Sequence, residues 1–319
     1  MPLSDDPPGA PVAKFTDPAR TAKGEPRAKA ALHALETLWF NTGTLCNIAC
    51  AHCYIESTPR NDRLAYLTLE DVRAFLDEIE RDRLPTKLIG FTGGEPFMNP
   101  EMSPILEETL ARGFEALVLT NAMRPMMRRK TALRALKSKY GPRLRLRVSL
   151  DDPRAEVHDA ERGDGAFAKT LEGLRWLAGE GFPVEAAGRG FAHENEHVLR
   201  ARFQALFDAN AISINAADPA ALVIFPEMDA ASDPPEITEA CWGILGKSPR
   251  EVMCASARMV VKRKGAPAPA VLACTLLPYD PRFELGASLR EAARPVPLNH
   301  AYCASFCVLG GASCGAAKA

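Results

Sequence analysis

The sequence predicts an α/β chain, a partial (β/α)6 barrel of the TIM type followed by a small cysteine-rich C-terminal domain. Three observations carry this. Apolar strand-like runs alternate with helix-period stretches six times between Leu38 and Phe225. Three polar motifs fall at the C-terminal ends of such runs: Cys46 to Cys53, Gly93-Gly94-Glu95 and Ser149-Leu150-Asp151. Parallel barrels carry their chemistry at those ends. The nine cysteines form two groups, Cys46, Cys50 and Cys53 near the start and six from Cys241 onward. An open parallel sheet is the alternative that the alternation alone allows.

In chain order, residues 1–35 are rich in Pro and in small or charged residues and read as a flexible lead-in, with a short helix over Ala30 to Leu38. Leu38 to Leu45 reads as the first strand, which delivers the first cysteine group. Thr68 is a candidate N-cap with Asp71 three residues on, and Leu69, Val72, Phe75, Leu76 and Ile79 follow at helical spacing. Strands are expected at Leu88 to Phe91, Ala116 to Leu119, Leu144 to Leu150, Val184 to Gly188 and Leu222 to Phe225. Helices are expected at Ser103 to Arg112, Thr131 to Lys137, Phe167 to Leu177 and Val198 to Phe207. This gives a barrel over residues 36–230 and a metal-stapled domain over 231–319. In that domain Arg258 to Arg263 pairs with Ala270 to Leu276 as a hairpin across a Gly/Pro turn. So short a segment can hardly bury a core alone, and ligand bonds are expected to provide much of its fold.

Of 319 residues, 47% are hydrophobic and 25% charged, which fits a soluble globular chain, and the net charge of -1 gives no overall pull toward nucleic acid or anionic lipid. Arg124 to Arg147 is basic and free of Asp and Glu, and reads as a solvated helix face plus strand flanks, with an acidic or RNA partner as the alternative. No apolar run approaches the roughly 20 residues of a membrane span, and the N-terminus has no signal pattern. The expected location is cytoplasmic, without a membrane. In that compartment cysteine groups point to metal or redox chemistry rather than to disulfides.

Cys46, Cys50 and Cys53 have the spacing C-x3-C-x2-C. A cubane iron–sulfur cluster normally takes four cysteines, so a loop with three leaves one iron open. Zinc is the competing reading, because His52 would complete a Cys3His set.

With Gly93-Gly94-Glu95-Pro96 after the second strand, this loop resembles the radical S-adenosylmethionine (radical SAM) superfamily. The resemblance implies that Cys46, Cys50 and Cys53 hold a [4Fe-4S] cluster whose open iron binds SAM. One electron, from a flavodoxin- or ferredoxin-type donor, then cleaves SAM to a 5′-deoxyadenosyl radical that abstracts hydrogen from substrate. It places His52 near the adenine, Gly93 and Gly94 where the backbone approaches SAM, and Glu95 at the ammonium group. Ser149, Asp151, His158-Asp159, Arg162-Gly163 and Phe167 resemble the S-L-D, H-D, R-G, F run of members with a SPASM or twitch tail. There Ser149 lies at the ribose or methionine portion, Arg162 pairs with the SAM carboxylate, Asp151 joins this set with a structural role open, and Asn195 lies near SAM.

The tail, with Cys254, Gly265, Cys274, Gly286, Cys303, Cys307 and Cys314, is similar to SPASM/twitch tails. The resemblance implies one auxiliary [4Fe-4S] cluster on Cys254, Cys274 and Cys303 plus Cys307 or Cys314, with a zinc ribbon as the alternative. Cys241 is left over, a small buried residue or a hydrogen donor to a substrate radical. Thr275 follows Cys274 where sulfatase-maturing members carry an acid, and Asp280 is the nearest acid. Cys241 and Asp280 are the catalytic candidates. Residues 1–35 fall short of the leader-binding domain of peptide-modifying members, which tilts the expected substrate toward a small molecule, or a peptide delivered by a separate protein. A non-enzymatic iron–sulfur or zinc protein that binds nucleic acid is the rival class, and it would have no use for Glu95, Ser149 and Arg162.

Overall fold

The structure is a computed structural model, and it describes residues 13–190, 194–227 and 232–311. Cys314 and the expected border at 230/231 lie outside the described residues.

The elements are β1 (Lys29–Ala30), β2 (Thr37–Asn41), α1 (Leu69–Arg81), β3 (Leu88–Thr92), α2 (Met102–Ala111), β4 (Glu115–Thr120), α3 (Arg124–Met127), α4 (Lys130–Tyr140), β5 (Leu144–Ser149), α5 (Ala155–Arg162), α6 (Ala166–Gly179), β6 (Val184–Gly190), α7 (Glu196–Ala209), β7 (Leu222–Pro226), α8 (Cys241–Leu245), β8 (Ala257–Val261), β9 (Ala270–Leu272), β10 (Glu284–Gly286) and β11 (Val296–Pro297). A seven-residue π-helix, Cys303–Leu309, closes the described chain. One nine-stranded sheet has the order β10-β9-β8-β2-β3-β4-β5-β6-β7. Strands β2 to β7 are all parallel and adjacent in chain order. They are the six strands of the partial barrel.

The sequence explains the first units. Thr68 caps α1 with its side chain, and Asp71 returns the bond to the Thr68 N–H, so a short acid completes the capping box. Helix α1 buries Val72, Phe75, Leu76 and Ile79. Phe40 of β2 stacks on Phe91 of β3 at 5.9 Å and meets Phe75 edge-on at 6.2 Å, which fills the layer between strands and helix. On the opposite face Trp39 lies across Gly90, where a Cβ would come within 2.3 Å of the indole. Helix α5 is absent from the sequence expectation, since His158 is the only residue it buries.

The expected helix over Ala30 to Leu38 does not form. The N–H groups of His33 and Glu36 donate to Ala255 O and Ser256 O at 2.8 and 2.9 Å, so a tail segment takes the donors that a helix would use. From Ala13 on, the expected flexible lead-in is tied down. Strand β1 pairs with β11, and Arg27 bridges to Thr238. The expected tail hairpin forms as β8 and β9. Strand β8 also pairs in parallel with β2, so the tail extends the barrel sheet. The second half of the basic stretch is partly neutralised from other elements: Arg134 by Glu180, Lys139 by Glu107, and Arg145 and Arg147 by Glu185. Among the described residues no helix is long and apolar enough to cross a membrane.

Arg27 is 1% exposed. It pairs with Glu236 and donates to the carbonyls of Asp17, Arg20 and Leu298. Removing one partner of a buried pair strands the other charge. Glu236→Ala is therefore expected to lower stability by about 3–5 kcal/mol, read as a fall in the urea midpoint. A loss under 1 kcal/mol, the roughly expected size for an exposed pair, would show that the lead-in is not anchored this way.

Candidate functional site

The cysteine loop between β2 and α1 is seated on main-chain contacts. Thr42 N–H donates to Thr92 O and Gly94 N–H to Gly43 O, both at 2.8 Å, and Glu95 N–H donates to Leu45 O at 3.2 Å. Both glycines are needed for this approach. A Cβ on Gly94 would lie 2.2 Å from Leu45 O, and one on Gly93, whose φ is +135°, would lie 2.5 Å from Gly43 O. The chain that carries Cys46 occupies the space their side chains would need. Gly93 and Gly94 also line the cavity of the three cysteines.

That cavity, of about 130 Å³, is lined by Cys46, Cys50 and Cys53. Ser57 N–H donates to Cys53 Sγ at 3.3 Å, and Asn121 Nδ2 lies 3.9 Å from Cys46 Sγ. The Ser57 hydroxyl is buried in the cavity wall without a hydrogen-bond partner among the described residues. Burial pushes the Cys46 thiol up to about 12 and also raises Cys50. Thiols that ionise so poorly need a metal to displace the proton. His52 is engaged elsewhere, with its side chain 64% exposed and its Nδ1 2.9 Å from Glu161 Oε2. Among the described residues no three His, Cys, Asp or Glu side chains converge on a single ion. A cluster takes one cysteine per iron and spreads its ligands wider than mononuclear zinc does. The donor set, the N–H groups aimed at sulfur and the orphaned hydroxyl fit a [4Fe-4S] cluster.

The rim around the cavity is a charged network. Glu95 is 1% exposed, and its carboxylate accepts from Thr120 Oγ1, Asn121 N–H and Phe97 N–H. Burial raises it to about 7 against those bonds. It braces the rim from behind and does not line the cavity. Ser149 ends β5 and lines it. Arg162, at the end of α5, forks onto Asp151 through Nε–Oδ2 at 2.6 Å and Nη2–Oδ1 at 2.9 Å. Burial works against the Asp151 carboxylate, but Arg162 outweighs it and holds the pKa below the ordinary value. Arg162 lines the cavity, and the fork leaves its Nη1 without an acceptor among the described residues. Arg189 of β6 donates its N–H to Asp151 O at 2.8 Å, and its Nη1 lies 3.1 Å from Glu161 Oε2. Glu161 also accepts the Ala51 N–H on its main-chain oxygen, so α5 holds the middle of the cysteine loop.

Two further cavities continue from the first. A cavity of about 270 Å³ shares His52, Cys53, Ser149, Arg162 and Arg189 with it, and adds Phe225, Leu276, Tyr302 and Phe306. Phe225 stacks on Phe306 at 5.6 Å to form an apolar wall. Leu276 and Tyr302 in turn line a smaller cavity that holds Cys254, Cys274, Cys303 and Cys307. The π-helix brings Cys303 and Cys307 to that one cavity. Burial pushes Cys254 up to about 11 and raises Cys303 well above the ordinary thiol value. Four cysteines around one apolar space offer the number and type of donors that a second cluster takes.

The structure thus brings together most of the residues expected at the site; besides Glu95, which lies behind the wall, three described residues stand apart. Asn195 is exposed and caps α7, accepting from His197 N–H and Val198 N–H. Cys241 starts α8 beside the Thr238 hydroxyl, and Asp280 caps a turn while pairing with Arg282. None of the three lines these cavities. Sequence reasoning missed Ser57, Asn121, Glu161, Arg189 and Tyr302. Asn121 and Arg189 were within reach of the rim argument, as both lie at the C-terminal ends of barrel strands.

The fold and the paired cysteine sets are those of a radical enzyme built on SAM and iron–sulfur clusters. A family model described as the radical SAM superfamily matches residues 40–202. The chain belongs to the radical SAM superfamily, which works with SAM and a [4Fe-4S] cluster. It is 35% identical over 143 residues to the antilisterial bacteriocin subtilosin biosynthesis protein AlbA of Bacillus subtilis, covering 44% of this chain and 30% of that protein. It is 32% identical over 137 residues to the mycofactocin maturase MftC of Mycobacterium tuberculosis, covering 43% and 33%. These matches span about a third of the length of the relatives. Among solved structures, Streptococcus suis SuiB bound to S-adenosylmethionine superposes with a TM-score of 0.57 at 11% identity, covering 80% of this chain and 64% of that one. At that identity the likeness concerns the fold.

Gly94→Ala is expected to fold yet to take up under half the iron of wild type on reconstitution, because its Cβ displaces the main chain leading to Cys46. Normal iron uptake would show that the close approach is dispensable. His158 gives a pH dependence. It is fully buried, its Nδ1 accepts the Asp151 N–H at 3.2 Å, and burial, then Arg162, hold it near 4 against 6.5 ordinarily. A depressed histidine stays neutral in the fold and protonates in the unfolded chain. Its contribution is complete above about pH 6.5 and is lost as pH falls toward about 4, about 3 kcal/mol in all. Urea unfolding at pH 7 and 4.5 should show the loss, and His158→Gln should flatten that part of the profile. An unchanged slope would overturn the assignment.

Proposed function

We propose that this protein is a radical SAM enzyme that modifies a peptide held between two iron–sulfur centres. The observation that supports it most is the row of three adjoining cavities, with three cysteines at one end, four at the other and an apolar space between. The tilt toward a small molecule rested on the short lead-in, whereas the relatives include a bacteriocin biosynthesis protein and a maturase. A cavity of about 270 Å³ takes one side chain beside the cofactor, not a folded peptide.

Cys46, Cys50 and Cys53 would hold the first [4Fe-4S] cluster, and Cys254, Cys274, Cys303 and Cys307 an auxiliary one. When bound, the first cluster and SAM supply a 5′-deoxyadenosyl radical. The chain's own residues hold and shield this chemistry. The Nη1 of Arg162 would take the SAM carboxylate, with Asp151 fixing the fork's orientation. Ser149 and the glycine backbone line the same wall. The Phe225–Phe306 stack keeps water from the middle cavity, which protects a carbon radical from side reactions. The electron enters from a flavodoxin- or ferredoxin-type donor.

Anaerobic reconstitution with dithionite and SAM should yield 5′-deoxyadenosine, and Cys50→Ala should abolish it. Cys274→Ala should retain SAM cleavage while iron falls from about eight to about four atoms per chain, as two cubanes require. Deuterium passing from a labelled precursor peptide into 5′-deoxyadenosine would identify the substrate class. No 5′-deoxyadenosine from wild type would sink the enzyme reading. Label passing only from a small metabolite would sink the peptide reading.

A further inference from the structure

Arg258, on β8, is 1% exposed. Its Nε donates to Ala292 O at 2.8 Å, its Nη1 to Cys254 O at 2.5 Å and to Ala257 O at 2.8 Å, and its Nη2 to Arg294 O at 3.3 Å. All four acceptors are neutral main-chain oxygens. The other two arginines buried to this degree pair with carboxylates, Arg27 with Glu236 and Arg147 with Glu185. Among the described residues Arg258 has no such partner. Carbonyl dipoles satisfy its hydrogen bonds but leave a full positive charge in a low-dielectric interior, which is costly without a buried anion.

The ionisable groups that act on it are Cys254 and Cys274. A guanidinium is a cation at neutral pH even in a buried site. Both cysteines line the tail cavity with Cys303 and Cys307. As thiols they cannot balance a cation. As ligands of a [4Fe-4S] cluster, four thiolates outweigh the core and leave a net negative charge.

We infer that Arg258 is the buried counter-charge of the auxiliary cluster, holding its reduction potential up without touching the metal. The inference rests on the reading of the tail cavity as a cluster site. The physical reason is simple. Reduction adds a negative charge, and a fixed cation in a low-dielectric surrounding stabilises the reduced cluster more than the oxidised one. Arg258 is thus a positioning residue that acts through its field.

The test is a dithionite titration of the anaerobically reconstituted full chain, followed by electron paramagnetic resonance. Added SAM marks which signal belongs to the first cluster. Arg258→Met removes the charge at similar length, and Arg258→Lys keeps it. The expected result is a lower auxiliary potential in Arg258→Met, an unmoved SAM-sensitive signal, and Arg258→Lys close to wild type. Loss of the second cluster from Arg258→Met but not from Arg258→Lys supports the same charge requirement. An auxiliary potential in Arg258→Met equal to wild type overturns the inference, as does an equal shift or equal cluster loss in both variants, which would mark a packing role. A wild-type chain with about four iron atoms and no second signal overturns the auxiliary cluster itself, and this inference with it.

Discussion

The site depends on one close approach of main chain to main chain. The end of β3 lies against the start of the cysteine loop so tightly that neither Gly93 nor Gly94 has room for a Cβ. Three hydrogen bonds run along this seam, from Thr42, Gly94 and Glu95. They place the two glycines and Cys46 in the wall of one cavity before any side-chain preference acts. Glu95 then fixes the outer side, tying the seam to Thr120 and Asn121 at the end of β4. A cluster held by three ligands has less protein grip than one held by four, so the loop that bears them must be positioned independently. The seam does this with groups that do not titrate.

The second anchor is electrostatic. Helix α5 ends in Glu161 and Arg162, and the two adjacent residues serve opposite sides of the rim. Glu161 gathers the cysteine loop and Arg189, while Arg162 is locked on Asp151. Both charges are compensated, so the fork can be largely buried at tolerable cost and still present an N–H of Nη1 that meets no acceptor among the described residues. The orientation of that N–H is set by a carboxylate beyond the cavity's first wall, as second partners orient ligating groups at metal sites.

Much of this was legible in the chain. The helix cap at Thr68, the six strands and the tail hairpin followed from local pattern, because each is decided by its own few residues. The cysteine triplet and Ser149 followed from position at strand ends, and Arg162 from the family resemblance alone, since its helix α5 had no sequence signal. What was not legible depended on contacts far apart in sequence. The segment after Ala30 has helical composition, but its donors are claimed by Ala255 and Ser256. Asn195 looked like a site residue and is a helix cap, since a cap and a ligand contact ask the same of an amide side chain. Glu95 carries a motif's only charge, yet its carboxylate is buried and bonded to Phe97, Thr120 and Asn121, which no local pattern shows. Arg258 sits in a strand of apolar residues with nothing local to mark it.

The parallel pairing of β8 with β2 has a mechanical consequence. The chain leaves the C-terminal end of β2 for the first cysteine set and enters the N-terminal end of β8 from Cys254. Those two points are the opposite ends of neighbouring, hydrogen-bonded strands, about 17 Å apart for five residues. A sheet is stiff along its strands. The two cysteine sets are therefore gauged by a ruler inside the fold, not by a linker.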